Sequence, residues 1–358
     1  MTAVQPAPFE PQTAAPEQWA RYHAFRRRRH EESAPDLPID SDRLHEIDLR
    51  RDDPQTITQV LVTDDGREMI AAGRLFIPRP GSPGFESNRG ILSFDLYVLK
   101  AHRRQGVARS YLRPLAEIAR GHGCRVIGSE SDEPGGNDAL RALGMEKKAA
   151  ERYSRLDLGR VDWALVRRWS LDGGRRNPDR NLQRHLNLPP RAAWPEYARA
   201  MTELFNTVPW EDAEHGDVVI TPETLAEQAE RLSLGGGRVI SFVVREADGR
   251  LTGITDMALW EEQPEHARQW LTAVHQSVQG NGIGRWIKAE MLLHLRHNHP
   301  RVRWVLTGNA SSNAPMLKIN TELGFETYKV ATTYQMPFAE FEKAASAVEY
   351  HDLESGLA

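Results

Sequence analysis

Two stretches of this 358-residue chain put glycine at the start of an amphipathic helix. One is "HQSVQGNGIGRWIKAEMLLHLRHNHP", from His275 to Pro300, and the other is "KAHRRQGVARSYLRPLAEIARGHGC", from Lys100 to Cys124. The backbone N–H groups of a helix's first turn lack partners inside the helix, the helix dipole adds positive charge, and glycine lets the backbone touch a bound anion. Both stretches share one spacing: Gln or Arg, two residues, Gly, one residue, then Gly or Ala, as in "QGNGIG" and "RRQGVA". A lone glycine turn serves equally well to bring a strand close to a helix. Two copies, each after a β-rich run, point to phosphate binding, with Gln279 and Arg103 at the loop entrances to cap the outer oxygens.

The elements around the two loops repeat as well. In the first half, "EQWARYHAFRRRRHEES" reads as a helix with an arginine-rich, solvated face. "TITQVLVTDDGREMIAAGRLFIP" is a hairpin turning at Asp64-Asp65-Gly66, and "GILSFDLYVL" is a third strand. After the glycine turn come a helix, the strand "CRVIGSES", a short helix near "NDALRALG" and a closing pair of short strands in "MEKKAAERYSRLDL". The second half has helices in "WPEYARAMTELFN" and "TPETLAEQAERLSL", a hairpin turning at Asp248-Gly249, the strand "RQWLTAV", the glycine-started helix, the strand "RVRWVLTGN", a short helix and closing strands in "FETYKVATTYQM". Between them "SLDGGRRNPDRNLQRHLNLPPRAAW" is polar and turn-rich, and "VDWALVRRWSL" before it is open to reading as the second unit's first strand. The fold class expected is mixed α/β (α+β): two tandem domains, each a mostly antiparallel twisted sheet flanked by helices. The bounds expected are a disordered tail at 1–16, domains at 17–158 and 159–345, and a C-terminal tail at 346–358.

Composition removes several classes of function. A formal net charge of -4 gives no global field for nucleic acid or an anionic membrane. No apolar run approaches the roughly 18 residues a membrane span needs, and the N-terminus lacks the charged-then-apolar order of a signal peptide, so a cytoplasmic protein is expected. The single cysteine, Cys124, excludes an internal disulfide and a cysteine-rich metal site; its place beside Arg125-Val126-Ile127 fits a buried strand residue. No metal is expected.

The pattern Gln/Arg-x-x-Gly-x-Gly/Ala resembles that of the GCN5-related N-acetyltransferase superfamily, fully at 279–284 and with Ala108 in the last place at 103–108. "NASSNAPMLKINTELGF" is similar to the family's later motif, with Asn313 and Gly324-Phe325 in place; the first half keeps only "GNDALRALGM". The resemblance implies a tandem member with acetyl-CoA as cofactor. Its pyrophosphate would lie on the backbone N–H groups of Asn281, Gly282, Ile283, Gly284 and Arg285, and Gln279, Gly280, Asn313 and Asn320 are implied as further cofactor-binding residues. The analogous first-half loop is Gln105, Gly106, Val107, Ala108 and Arg109, with Arg103 and Arg104 ahead of it as further cofactor-binding candidates. The pantetheine arm would pair with Thr272, Ala273 and Val274, and a backbone N–H near Val274 would polarise the thioester carbonyl. The activity implied is transfer of an acetyl group to the primary amine of a small molecule by direct attack, in a monomer or homodimer, with no nucleic acid and no membrane as partner.

Such chemistry needs a base for the ammonium and often an acid for the thiolate. The position where the family commonly has a tyrosine is Asn320 in the second half and Leu140 in the first. Asn320 can hydrogen-bond sulfur or water but is no acid, which leaves Tyr328 and Tyr334 as substitutes. Candidate bases are Asp256, Glu211, Asp212, Glu261, Glu262, His266 and His275. Alternation in "GITDMAL" puts Asp256 with Ile254 and Ala258, opposite Thr255 and Met257, so an inward carboxylate there would need a purpose. Trp210, Trp260 and Trp270 are candidate walls of the acceptor site. Two rivals stay open: a non-catalytic acyl-CoA binding or sensing protein, and an aminoacyl-tRNA-dependent aminoacyltransferase of similar tandem fold. Because the second half keeps the full glycine loop, chemistry is expected there only.

Overall fold

Phe9 anchors the first strand: it meets Trp19 edge-on at 5.0 Å and stacks on Tyr22 at 4.8 Å. In the computed structural model, which describes residues 5–355, this contact pins strand β1 (Ala7–Phe9) to the sheet. The disordered tail expected up to residue 16 is thereby corrected, since a buried aromatic orders the segment from within; residues 1–4 lie outside the described residues. Helix α1 (Pro16–Ser33) follows, with Trp19, Tyr22 and Phe25 inward and its arginines tied to Asp42, Asp64 and Glu68. Next come α2 (Asp42–Arg50), capped by Ser41, then β2 (Thr56–Asp64), β3 (Met69–Pro78), α3 (Phe85–Asn88) and β4 (Ile91–Val98). The glycine turn leads into α4 (Val107–Ser110) and α5 (Leu112–Gly121), followed by β5 (Val126–Ser131) and α6 (Pro134–Ala142).

One long strand, β6 (Glu146–Asp157), replaces the expected pair of short ones. The stretch open to reading as a strand is helix α7 (Trp163–Arg176), because Asp162 caps it by accepting from the N–H groups of Ala164 and Leu165. The polar linker contributes an edge strand, β7 (Asn181–Leu186). Then follow α8 (Trp194–Phe205), α9 (Pro222–Leu234), β8 (Gly237–Arg245), β9 (Leu251–Trp260), β10 (His266–Val274), α10 (Ile283–Asn298), β11 (Trp304–Ala310), α11 (Ala314–Leu323), β12 (Glu326–Pro337) and α12 (Phe338–Ser355). A helix therefore occupies most of the expected C-terminal tail; 356–358 lie outside the described residues.

The chain forms two compact units: residues 1–148, 212–216 and 332–358, and residues 149–211 and 217–331. In the first, the strand order is β1-β2-β3-β4-β5-β12, and only β4 with β5 is parallel. In the second, the order is β6-β11-β10-β9-β8-β7, and only β10 with β11 is parallel. The closing strands are thus exchanged relative to a division near Gly159. Residues 151–157 of β6 pair with β11, and residues 332–337 of β12 pair with β5. The cores follow this division: Tyr334, Met336 and Phe341 pack with Leu75, Leu92 and Ile127, whereas Leu156 packs with Met257, Leu292 and Val305.

Candidate active site

The two glycine loops share a backbone shape. Gly280 and Gly282 have φ of 83° and 78°, and their counterparts Arg104 and Gly106 have 61° and 82°. Each pair follows a short 3-10 turn after a strand, at Gln276–Val278 and Lys100–His102. A side-chain carbon built on Gly280 or Gly106 would meet nothing within 4 Å, so these positions are glycine for their backbone angle and leave the main chain bare to a ligand. The strand ahead of each loop also parts from its parallel neighbour. β10 and β11 pair only as far as Arg268 and Leu306, although they continue to Val274 and Ala310; β4 and β5 pair only as far as Phe94 and Ser129. An open slot beside a bare helix start fits an extended ligand ending in phosphates.

The loop side chains mostly brace the loop itself. Gln279 Nε2 donates to Val274 O at 3.1 Å, and Arg103 Nε donates to Val98 O at 2.9 Å, where capping of outer oxygens was expected. Asn281 Nδ2 donates to Val278 O, and Gln105 Nε2 to Ala101 O. Ile283 is core, and a Cβ on Gly284 would lie 3.3 Å from Ile319. The Arg285 guanidinium donates to Glu322 and lies over the Trp169 ring. In the first unit Val107 packs on the core, Ala108 and Arg109 continue the helix start, and Arg103 Nη1 reaches Glu133 at 2.6 Å. That ion pair ties the loop after β4 to the segment after β5, the two strands that part in the first unit.

Sequence reasoning missed the support beneath the second loop. Gly173 lets α7 touch α10 so closely that a Cβ there would lie 2.2 Å from Trp286. The helix then ends at buried Asn177, whose Nδ2 donates to Gly173 O and Asn281 O while Arg180 donates to its Oδ1. Only the polar run "RRNPDRN" could have signalled this.

Asp256 is 6 % exposed and stands opposite Ser241 on β8. On its other side, Met257 pairs with Gln269 and Thr255 with Thr272, so two residues, Trp270 and Leu271, face one, Asp256. This is a β-bulge, and it turns both Trp270 and Leu271 towards the α8–α9 face while Gln269 and Thr272 share the opposite one. Burial pushes the Asp256 carboxyl up to about 7, against a lowering hydrogen bond from Ser241, and its Oδ1 has no partner. The Tyr197 phenol, raised by burial and by Asp256, is hydrogen-bonded to Ser241. These groups line a cavity of about 40 Å³ with Met201, Leu225 and Trp270.

Behind the bulge lies a polar chain that sequence reasoning did not find. Lys288, on α10 and 2 % exposed, donates from Nζ to Gln269 Oε1 at 3.3 Å and lies over the Phe325 ring. Burial lowers its ammonium to about 7. Gln269 Nε2 donates in turn to Thr255 Oγ1 and Asp256 O, and Thr255 shares a hydrogen bond with Thr272; Ala273 beside it is buried.

The remaining candidates scatter. Asn320 is 3 % exposed; its Nδ2 donates to Asn309 at 2.6 Å and its Oδ1 has no partner. Asn313 caps α11 by accepting from Met316 N. Glu211, at φ 53°, accepts from Ala150 N and Ser312 N, which commits its carboxylate to the backbone. Tyr328 is half-buried on β12, while Tyr334 lies in the first unit's core and Asp212 in its 212–216 segment. Glu261 pairs with Arg238 at the surface, and His275 shares a hydrogen bond with Ser277. His266, half-buried at the start of β10, is lowered by burial. Trp260 and Trp270 meet edge to face at 6.2 Å, and Trp210 is exposed.

Residues 19–143 match the Acetyltransferase (GNAT) family. The whole chain is similar in fold to a tandem GNAT protein from the clavulanic acid biosynthesis pathway, at 22% identity over 94% of this chain and 98% of that one, with a TM-score of 0.72. It is also similar to a GCN5-related N-acetyltransferase from Sphaerobacter thermophilus, at 14% identity over 91% of this chain and 95% of that one, with a TM-score of 0.62. A search of the curated proteins finds no match. Among the described residues no helix is long and apolar enough to cross a membrane.

Proposed function

We propose that this chain, whose residues 19–143 match the Acetyltransferase (GNAT) family and whose fold resembles that of a tandem GNAT protein, is an acyltransferase that transfers the acetyl group of acetyl-CoA to the primary amine of a small molecule, in the second unit. The observation that carries this reading is the buried Asp256 carboxyl, with one oxygen unpartnered, facing the Trp270–Leu271 bulge of the strand that leads into the glycine loop. When bound, acetyl-CoA supplies an acyl thioester.

The chain's own residues divide the remaining work. The backbone of 279–285 holds phosphate at a helix start. The bulge frees N–H groups of β10 from the ladder, and such groups are the donors an acyl-transfer site turns on developing negative charge. Asp256, poised near 7, accepts the proton of an entering ammonium and leaves the free amine; the cavity admits little more than that head group at a time. Asn320 holds its place by Asn309 and offers Oδ1 as an acceptor. A thiol's ordinary pKa of about 8.5 lets the sulfur depart without a dedicated acid.

In the first unit, Arg74 paired with Asp95 takes the position of Asp256, no bulge interrupts β3 against β4, and the Arg103–Glu133 pair ties together the segments after β4 and β5. These features support a non-catalytic first unit. The test is a coupled thiol-release assay over a panel of primary amines, run on the wild type and on Asp256→Asn. Acetyl-amine product from the wild type and its loss in the variant support the proposal; acetyl-CoA binding without turnover on any amine would make the chain a binding protein instead.

A further inference from the structure

The face of the first unit's sheet that corresponds to the Asp256 side carries a cavity of opposite charge. Arg74 lies three residues beyond Ala71, the partner of Val98, just as Asp256 lies three beyond Gly253, the partner of Val274. Both valines end the strand before a glycine loop. Where Asp256 faces about 40 Å³, Arg74 faces about 200 Å³, walled by α1 and the segment leading into α2.

Three arginines line this space: Arg26, Arg29 and Arg74. Arg74 directs Nε and Nη2 to Asp95 and keeps Nη1. Arg26 shares Asp42 with Arg27, so one carboxylate serves two guanidinium groups. Arg29 has no carboxylate partner among the described residues; it is half-buried and lies over the Tyr97 ring at 5.1 Å. Asp95 is the one acidic residue of the lining. A buried polar atom points the same way: His45 Nε2 has no partner. Burial and the arginines push His45 down to about 3, so its ring is neutral and adds no charge of its own. Phe25, Tyr22 and Ile39 complete the wall with apolar surface.

The Arg29 guanidinium, with no carboxylate partner among the described residues and set in a pocket with aromatic walls, matches a planar carboxylate carried on an apolar body. A dry cavity of about 150 Å³ is enough for benzene, so this one accommodates a small aromatic or branched aliphatic acid. We propose that the first unit binds a small carboxylic acid here, its carboxylate on Arg29 and Arg74 and its body against Phe25 and Ile39. The face of the first unit that corresponds to the Asp256 side is then a separate ligand site, whether or not the second unit transfers acyl groups.

Calorimetric titration of the full chain with benzoate, benzamide and inorganic phosphate tests this. Benzoate is expected to bind once per chain, benzamide at least about tenfold more weakly, and phosphate more weakly than benzoate. Arg29→Ala should weaken benzoate by about tenfold, and Arg29→Lys should fall between, since it keeps the charge and loses the fork. Acetyl-CoA binding measured on the same samples serves as the folding control and should not change. Equal binding of benzamide, tighter binding of phosphate, no benzoate binding in the millimolar range, or an unchanged Kd in a folded Arg29→Ala would each overturn the proposal.

Discussion

Gln269 donates its side-chain amide to the main-chain carbonyl of Asp256 at 2.8 Å, supplying a hydrogen bond at the point where the bulge breaks the β9–β10 ladder. The same residue that stabilises the interruption therefore fixes the backbone of the proposed base, and Lys288 holds it from behind.

Replacement of Asp256 by Asn should lower kcat by about 100-fold or more at neutral pH, with a smaller deficit at high pH, where the amine arrives already deprotonated. The stability profile carries its own sign. A carboxyl raised to about 7 keeps its proton in the folded state while the unfolded one loses it near pH 4, so wild-type stability should fall as pH rises from about 4 to 7. Urea midpoints across that window should decline for the wild type and decline less for Asp256→Asn. Parallel profiles would mean that Asp256 titrates normally.

Lys288→Met should act in the opposite window. An ammonium lowered to about 7 is neutral in the fold up to the ordinary lysine range, so wild-type stability should climb from about pH 7 towards 10. Relative to the wild type, the variant should be most favoured at pH 6, and its advantage should shrink by pH 9. Turnover should also drop several-fold, because Gln269 loses its brace.

Gly282→Glu places a carboxylate where an anion is expected to bind, at a backbone angle costing a side chain about 1–2 kcal/mol. Acetyl-CoA affinity should fall by more than about tenfold and acetylation should disappear. Gly106→Glu should leave at least half the acetylation rate. A folded but inactive Gly106 variant would contradict a non-catalytic first unit, and half activity in both variants would point to two working sites.

Gly173→Ala should destabilise the protein by about 1–3 kcal/mol, since its Cβ would overlap Trp286 and the two helices would have to separate. Thermal denaturation checks this. Acetyl-CoA affinity should weaken too, because Asn177 at the end of α7 steadies the loop through Asn281.

Much of this architecture is legible in the sequence because it rests on local chemistry. The hairpins at Asp65-Gly66 and Asp248-Gly249, the glycine-started helices and the inward face of Asp256 follow from turn residues and alternation. What stayed hidden depends on pairing between distant segments. Nothing in "RQWLTAV" marks Trp270 and Leu271 as a bulge, since that depends on which residues of β9 lie opposite. The ties of Arg103 to Glu133 and of Glu211 to Ala150 and Ser312 are likewise invisible without the fold, so an ion pair and a brace read as free charges. Trp163–Arg176 combines tryptophan and valine with good helix formers, and the cap at Asp162 decides it.

The place of β12 has a consequence for synthesis. The first unit's sheet takes its last strand from residues 332–337, and Phe341 of the helix that follows is fully buried in its core. A nascent chain that has emerged as far as residue 148 therefore cannot complete this unit; β5 presents an open edge until residues 332–337 leave the ribosome. The domain made first is finished last, and a premature stop anywhere before residue 332 should damage both halves of the protein rather than spare the earlier one.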